Sequence, residues 1–179
     1  MPPVTRLIPI LNPTRSRASQ AALAVAQAGA NPNMPFWSLD AGLSSTGVDD
    51  LSGQNIGLQG ESPWLYNTPG GIYNMLHWIS NRYNAPEIYI TENGCSEPHE
   101  STGVLPDVLD DRFRVAYYFE YLENVAAAIT EGVKIKGYFA WSLLDNFEWA
   151  DGYQMRFGLH YVDYADPDLP RYPKSSAKW

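Results

Sequence analysis

The spacing of apolar residues changes repeatedly downstream of residue 62, and each change predicts a new element. In "TPGGIYNMLHWISNRY" the apolar residues recur at offsets of three and four behind Pro69, which predicts a helix. "APEIYIT" follows, and the β-branched and aromatic residues after Pro86 predict a short strand. This part of the chain is therefore expected to form a helix followed by a strand.

Helical spacing returns between about Asp110 and Glu131. The apolar positions that carry it are Val115, Tyr118, Phe119, Leu122, Val125, Ala126 and Ile129. Gly132 supplies a left-handed stop, and "KIKGYFAWSL" then predicts a second strand from about Val133 to Ser142. The predicted order is helix, strand, helix, strand, which is typical of the α/β class.

Two strands joined by so long a helix are expected to run parallel. Parallel strands end at the same edge of a sheet, and ligands in such folds bind at the carboxyl ends of the strands. We therefore expect Glu92, in the stretch "ITENG", to share a site with the residues that follow Trp141. The other interpretation of this stretch is a hairpin turn, which an Asn-Gly pair also favours.

Residues 141 to 153 read "WSLLDNFEWADGY", where acids, aromatic residues and an Asn interleave. A sugar has an apolar C–H face that stacks on an aromatic ring and hydroxyls that bind carboxylates or amides. Trp141, Glu148 and Trp149 fit such a lining. The alternative is that the tryptophans belong to the core and that Asp145 and Glu148 are helix-cap or surface acids.

Composition and charge argue against several classes of partner. The formal net charge is -8, and the twelve basic residues form no stripe, which argues against a nucleic-acid partner. The single cysteine excludes an internal disulfide, and the three histidines lack metal-ligand spacing, so no metal or cofactor is expected. No apolar run approaches the roughly 20 residues that span a bilayer, so no membrane partner is expected either.

The character of the chain changes near residue 34. Residues 1–33 contain three arginines and no acid, a composition that fits either an organelle transit peptide or an N-terminal extension without a role in the fold. Residues 34–61 are rich in Gly, Ser, Asp and Asn, which predicts loops. All the predicted helices and strands lie in residues 62–179.

Four motifs follow one another in this part of the chain: "YITENG" at 89–94, "WSLLDNFEW" at 141–149, "RFGLHYVDY" at 156–164 and "RYPKSSAKW" at 171–179. In their order and spacing they resemble the carboxyl-terminal part of glycoside hydrolase family 1, the β-glucosidase-like enzymes. The resemblance covers about residues 62–179 and implies part of a (β/α)8 TIM barrel, from its sixth helix to its eighth strand. Since only two of the eight strands are recognised, we expect a partial, unclosed barrel and a C-terminal fragment of such an enzyme.

The resemblance also implies roles for individual residues. Glu92 corresponds to the catalytic nucleophile, and the glycone subsite corresponds to Trp141, Glu148, Trp149 and Phe157, with Glu148 accepting sugar hydroxyls around O4 and O6. In a retaining glycosidase an ionised carboxylate attacks the anomeric carbon while a protonated one, about 5 to 5.5 Å away, protonates the leaving oxygen. The family's acid lies in an "NEP"-type motif, which does not occur in the 179 residues, so no acid/base residue is assigned.

The sequence therefore predicts hydrolysis of β-glycosidic bonds by a retaining mechanism. The expected partner is a small β-glycoside or oligosaccharide, and a 6-phosphate would sit badly beside the carboxylate of Glu148. The alternative is a catalytically silent fragment, or a sugar-binding remnant, that lacks the acid/base carboxylate.

Overall fold

The computed structural model describes residues 47–48 and 53–179. The expectations for residues 1–33 and for most of 34–61 lie outside the described residues. Described in chain order, the strands and helices are β1 (Leu58–Gln59), β2 (Tyr66–Asn67), α1 (Pro69–Arg82), β3 (Ile88–Asn93), α2 (Arg112–Thr130), β4 (Ile135–Ala140), β5 (His160–Val162), β6 (Arg171–Pro173) and α3 (Ser175–Lys178). The predicted order of helix, strand, helix, strand is confirmed as α1, β3, α2 and β4.

Strands β3 and β4 pair in parallel, as the long helical connection between them predicts. Helices α1 and α2 cover one face of this pair, and the apolar side chains between helices and strands form a core. Its buried members are Leu76, Val125, Ala128 and Val133, with Ile88, Ile90 and Ile135 packed against them. Side chains from the first halves of β3 and β4 therefore hold the strand pair against the helices.

Strand β3 contains one extra residue shortly before it ends. Ile90 pairs with Tyr138 and Asn93 pairs with Ala140, so the register shifts between these two pairs. Side chains alternate between the faces of a regular strand, and an inserted residue reverses that alternation. Ile90 packs on the helical side, whereas Thr91 and Glu92 are both exposed. The strand also runs through Glu92 and Asn93 instead of turning there, so the hairpin interpretation of "ITENG" is wrong.

The buried face of α2 only partly matches its apolar spacing. Tyr118 and Val125 are buried as expected, but Phe119 and Ile129 are half exposed. The buried side chains of the helix are instead Arg114, Tyr117, Tyr118, Tyr121, Val125 and Ala128. Polar groups occupy this face because Arg114 and the tyrosines find hydrogen-bond partners inside the fold, which lowers the cost of their burial.

A second core lies closer to the strand ends and is largely aromatic. Its buried members are Leu65, Cys95, Tyr117, Tyr118, Tyr121 and Phe157, with Trp141 partly buried against them. Glu97 connects the loop that follows β3 to this region, because its carboxylate accepts hydrogen bonds from the backbone N–H groups of Phe113 (3.1 Å) and Arg114 (2.8 Å) in the first turn of α2. The loop after β3 is therefore held by the aromatic core at Cys95 and by the first turn of α2 at Glu97.

Two short antiparallel hairpins were not predicted. β1 pairs with β2, and β5 pairs with β6 through the register His160 to Pro173. The described part of the chain forms three two-stranded sheets and no closed barrel. Among the same residues no helix is both long enough and apolar enough to span a membrane.

Candidate active site

Glu92 lies at the carboxyl end of β3, on the face opposite the helices. Its neighbour Asn93 faces α2, where its side-chain amide donates to the hydroxyl of Tyr117 (3.1 Å) and accepts from the hydroxyl of Tyr138 (2.6 Å). Because the extra residue in β3 reverses the alternation, Glu92 is directed away from these tyrosines and is exposed. Its carboxylate is therefore available to a ligand at the strand end.

Trp141 follows β4 and is joined directly to the end of β3. Its backbone N–H donates to the carbonyl of Asn93 (2.8 Å), and its own carbonyl accepts from the hydroxyl of Tyr118 (3.0 Å). The Trp141–Ser142 peptide bond is cis. These bonds bring Glu92 and the segment after Trp141 to the same edge, as predicted from the parallel strands.

Glu148 lies in this segment, close to both Glu92 and Trp141. Burial raises the pKa of the Glu148 carboxyl, a hydrogen bond from the Trp141 side chain opposes that change, and the negative charges of Asp151 and Glu92 raise the pKa further. Glu148 and Glu92 are thus near enough to feel each other's charge. Two carboxyl groups and an indole converge where the two strands end.

Trp149 and Phe157 stand in opposite environments. Trp149 is 81% exposed, so almost its whole indole surface can receive a ligand. Phe157 is only 4% exposed and packs in the aromatic core. Trp64 stacks on it with a ring separation of 6.3 Å and remains half exposed itself. The structure therefore brings Glu92, Trp141 and Glu148 together, leaves the ring of the next residue, Trp149, exposed, and stacks Phe157 on Trp64.

Asp145 is neither a helix cap nor a surface acid, so that interpretation of it is wrong. Its carboxylate is 5% exposed and accepts from Lys174 Nζ (2.9 Å), Arg156 Nη1 (2.6 Å) and the backbone N–H of Gly158 (2.9 Å). Because these bonds occupy both carboxylate oxygens, Asp145 is not available to accept a sugar hydroxyl. Asp145 instead holds the segment that carries Glu148 and Trp149 against the hairpin of β5 and β6.

The buried charges around Asp145 extend into a larger network. Lys174 also pairs with Glu100, which pairs with Arg114 Nη2 at 2.7 Å, and Arg114 Nη1 reaches Asp111 at 2.5 Å. Asp111 in turn accepts from the backbone N–H of Ser176 at 2.8 Å. The network joins the loop after β3, the start of α2 and the residues after β6 beneath the candidate site.

Sequence reasoning missed the residues that support this site, namely Asn93, Tyr117, Tyr118 and Tyr138. Their hydrogen bonds join positions far apart in the chain, so local spacing carries no signal for them. The Asn of "ITENG" was the one visible signal, since a polar residue at a strand end needs a partner when it is partly buried. Within the described residues no cluster of three or more His, Cys, Asp or Glu side chains could hold a metal ion.

The family model of "Glycosyl hydrolase family 1" matches residues 35–179. This match begins upstream of the motifs quoted above. It covers well over half of the chain, including both parallel strands and the residues that follow each of them. The chain belongs to glycosyl hydrolase family 1.

Known members of the family are similar along most of this chain. Beta-glucosidase 42 of Arabidopsis thaliana is 55% identical over 132 residues, which is 74% of this chain and 27% of that protein. The crystal structure of the beta-glucosidase from Trichoderma harzianum has 52% identity and a TM-score of 0.70 over 73% of this chain and 28% of that chain. A mutant of the rice beta-glucosidase Os3BGlu6, in a covalent complex with Glc from GA4GE, has 46% identity and a TM-score of 0.68 over 72% of this chain and 27% of that chain. This chain thus spans between a quarter and a third of the length of these relatives.

Proposed function

We propose that this chain carries the nucleophile and glycone-binding part of a retaining β-glycosidase site. Glu92 attacks the anomeric carbon, a bond forms between its carboxylate oxygen and that carbon, and the bond to the aglycone oxygen breaks with its electron pair leaving on the aglycone. Water then attacks the same carbon, the bond to Glu92 breaks with its electron pair returning to the carboxylate, and the proton that water loses balances the anion of the departed aglycone through the solvent. The observation that carries this proposal is the convergence of Glu92, Glu148 and Trp141 where β3 and β4 end.

The surroundings of Glu92 suit a neutral sugar. The exposed indole of Trp149 offers a flat apolar surface to the C–H face of a pyranose, and the carboxyl of Glu148 offers an acceptor to its hydroxyls. An anionic substituent would have to approach both Glu148 and Glu92, and the repulsion disfavours it. Phe157 is 4% exposed and stacks with Trp64, so little of its ring is accessible to a sugar.

The relatives support a β-glucoside as the substrate class. Those named above are beta-glucosidases, and the rice protein has been captured with Glc covalently attached. A covalent sugar adduct is the intermediate that a retaining mechanism requires. We therefore propose a β-glucoside for this chain, with Glu92 as the residue that forms the adduct.

The proposal is tested by trapping that adduct. An activated 2-deoxy-2-fluoro-β-glucoside with a dinitrophenolate leaving group needs no protonation of the departing oxygen, so it tests the nucleophile alone. We expect intact-mass analysis to show one added fluoroglucosyl group, which peptide mapping places on Glu92. Glu92→Gln is expected to remain unlabelled, while Glu87→Gln, which alters an exposed carboxylate just before β3, is expected to label as the parent chain does. Absence of the adduct from the parent chain would overturn the proposal.

A second candidate function is sugar binding without hydrolysis of ordinary glycosides. It is favoured by the lack of an "NEP"-type motif in the 179 residues. Methyl β-glucoside distinguishes the two, because its leaving group requires an acid. Hydrolysis that disappears in Glu92→Gln would show that an acid/base group operates, whereas labelling without such hydrolysis would favour the second candidate.

A further inference from the structure

The end of β3 contains an irregularity that the chemistry of Glu92 depends on. Between Ile90 and Asn93 the strand advances by three residues while β4 advances by two, from Tyr138 to Ala140. In a regular strand Glu92 would share the face of Ile90, which packs towards the helices. The extra residue is what directs the carboxylate of Glu92 to the open face instead.

Asn93 makes the contacts that hold this irregularity in place. Its side-chain oxygen accepts from Tyr138 on β4 at 2.6 Å, and its side-chain nitrogen donates to Tyr117 on α2 at 3.1 Å. Its backbone oxygen accepts from the N–H of Trp141 at 2.8 Å. Three groups, one on β4, one on α2 and one in the residue that follows β4, thus fix the residue directly after Glu92.

Regular alternation is the other arrangement that this strand end could adopt relative to β4. If β3 slipped back to regular alternation, Asn93 would leave the tyrosines and Glu92 would turn towards the aromatic core. The two side-chain bonds oppose that slip, because breaking them leaves the Tyr138 hydroxyl and the Asn93 amide without partners in a partly buried place. The hydroxyls of Tyr117 and Tyr138 therefore act on Glu92 through the backbone, without touching it.

We propose that Asn93, held between the hydroxyls of Tyr138 and Tyr117, is a positioning residue that sets the direction of the Glu92 side chain. This inference rests on the proposed function of Glu92, but it concerns the backbone at the strand end, which can be observed separately. Tyr138→Phe and Asn93→Leu remove the side-chain bonds while keeping similar volume. Tyr73→Phe is the matched control, since it also removes a 2.6 Å hydroxyl bond, here to Glu131 at the C-terminal end of α2.

The first readout is the rate at which the activated 2-fluoro glucoside labels Glu92. A misdirected carboxylate slows the bond-forming step, so we expect the maximal labelling rate to fall at least about tenfold in Tyr138→Phe and Asn93→Leu, with little change in the concentration giving half-maximal rate. Tyr73→Phe is expected to label as the parent chain does. Far-UV circular dichroism and a thermal midpoint above the assay temperature confirm that the variants are folded. Parent-like rates in both site variants would overturn the inference.

The second readout does not require labelling. Because the charge of Glu92 raises the pKa of the Glu148 carboxyl, a ¹³C NMR titration of Glu148 reports where Glu92 points. We expect the pKa of Glu148 to fall in Tyr138→Phe, by up to the change seen in Glu92→Gln, and to stay unchanged in Tyr73→Phe. If the parent chain is not labelled, the proposed function fails, and this titration still decides the inference. An unchanged Glu148 titration in Tyr138→Phe would overturn it.

Discussion

Gly94 lies so close to the carbonyl oxygen of Trp141 that a Cβ atom at Gly94 would be 1.7 Å from that oxygen. The same Cβ atom would be 2.9 Å from the hydroxyl of Tyr118, which donates to this carbonyl. A backbone carbonyl cannot move aside as the end of a long side chain can. The close approach of the two strand ends, and with it the distance between Glu92 and Trp141, therefore requires glycine at this position.

Gly94→Ala is expected to destabilise the chain by at least about 2 kcal/mol, since the methyl group forces the two strand ends apart. Urea denaturation measures the change in the free energy of unfolding. Gly70→Ala is the matched control, because a Cβ atom at Gly70 in the first turn of α1 has nothing within 4 Å. It should be neutral or slightly stabilising. Equal stability of the two variants would contradict the packing role of Gly94.

The order of elements could be predicted because it depends on local spacing. The periodicities around Leu76, Ile90 and Val125 all arise from side chains that enter one apolar core, so each can be read within a short window. The shared edge of Glu92 and Trp141 followed from a topological rule, which needs only that a long helix joins the strands. These features place two of the side chains in the candidate site, Glu92 and Trp141.

The features that could not be predicted arise from pairing between distant residues. The extra residue in β3 can be recognised only from its pairing with β4. The stretch "ITENG" by itself contains an Asn-Gly pair, which favours a turn. Asp145 is buried because Arg156 and Lys174 reach it from 11 and 29 positions further along the chain. In the stretch "WSLLDNFEW" it stands among other polar residues and is indistinguishable from a surface acid. β5 and β6 have three residues each, too few for a periodic pattern.

Asp145→Asn is expected to destabilise the chain by about 3 to 5 kcal/mol, because Lys174 and Arg156 lose a buried anion that both contact. Thermal and urea denaturation at pH 7 measure the loss. Asp168→Asn removes a charge at an exposed position of the hairpin connection and should change stability by no more than about 0.5 kcal/mol. A similarly small effect of Asp145→Asn would show that the network contributes little to stability.

Glu148 provides a prediction about charge in the site. Burial and the charges of Asp151 and Glu92 raise the pKa of its carboxyl, so removing either negative neighbour eases ionisation and lowers that pKa. We expect ¹³C NMR titration to show a lower pKa for Glu148 in Glu92→Gln and in Asp151→Asn than in the parent chain. Glu123→Gln, on the exposed face of α2, should leave it unchanged. An unaltered titration in Glu92→Gln would contradict the charge coupling between the two carboxyl groups.

Trp149 and Phe157 were assigned to the same subsite by resemblance, yet their burial predicts opposite behaviour. Phe157→Ala removes a ring that is 4% exposed and should cost about 3 to 5 kcal/mol of stability. Trp149→Ala removes a ring that is 81% exposed and should change stability by no more than about 0.5 kcal/mol. Urea denaturation of the two variants measures this contrast.

The contrast reverses for sugar binding, because only an accessible ring can stack on a pyranose. We expect Trp149→Ala to weaken glucose binding about tenfold, a loss of roughly 1.4 kcal/mol, as measured by titration of the intrinsic tryptophan fluorescence. Trp78→Ala, at a half-exposed tryptophan on α1 remote from the strand ends, controls for the loss of one fluorophore and should bind glucose as the parent chain does. Unchanged affinity in Trp149→Ala would remove Trp149 from the glycone subsite, and would leave Trp141 and Glu148 as the groups that hold the sugar over Glu92.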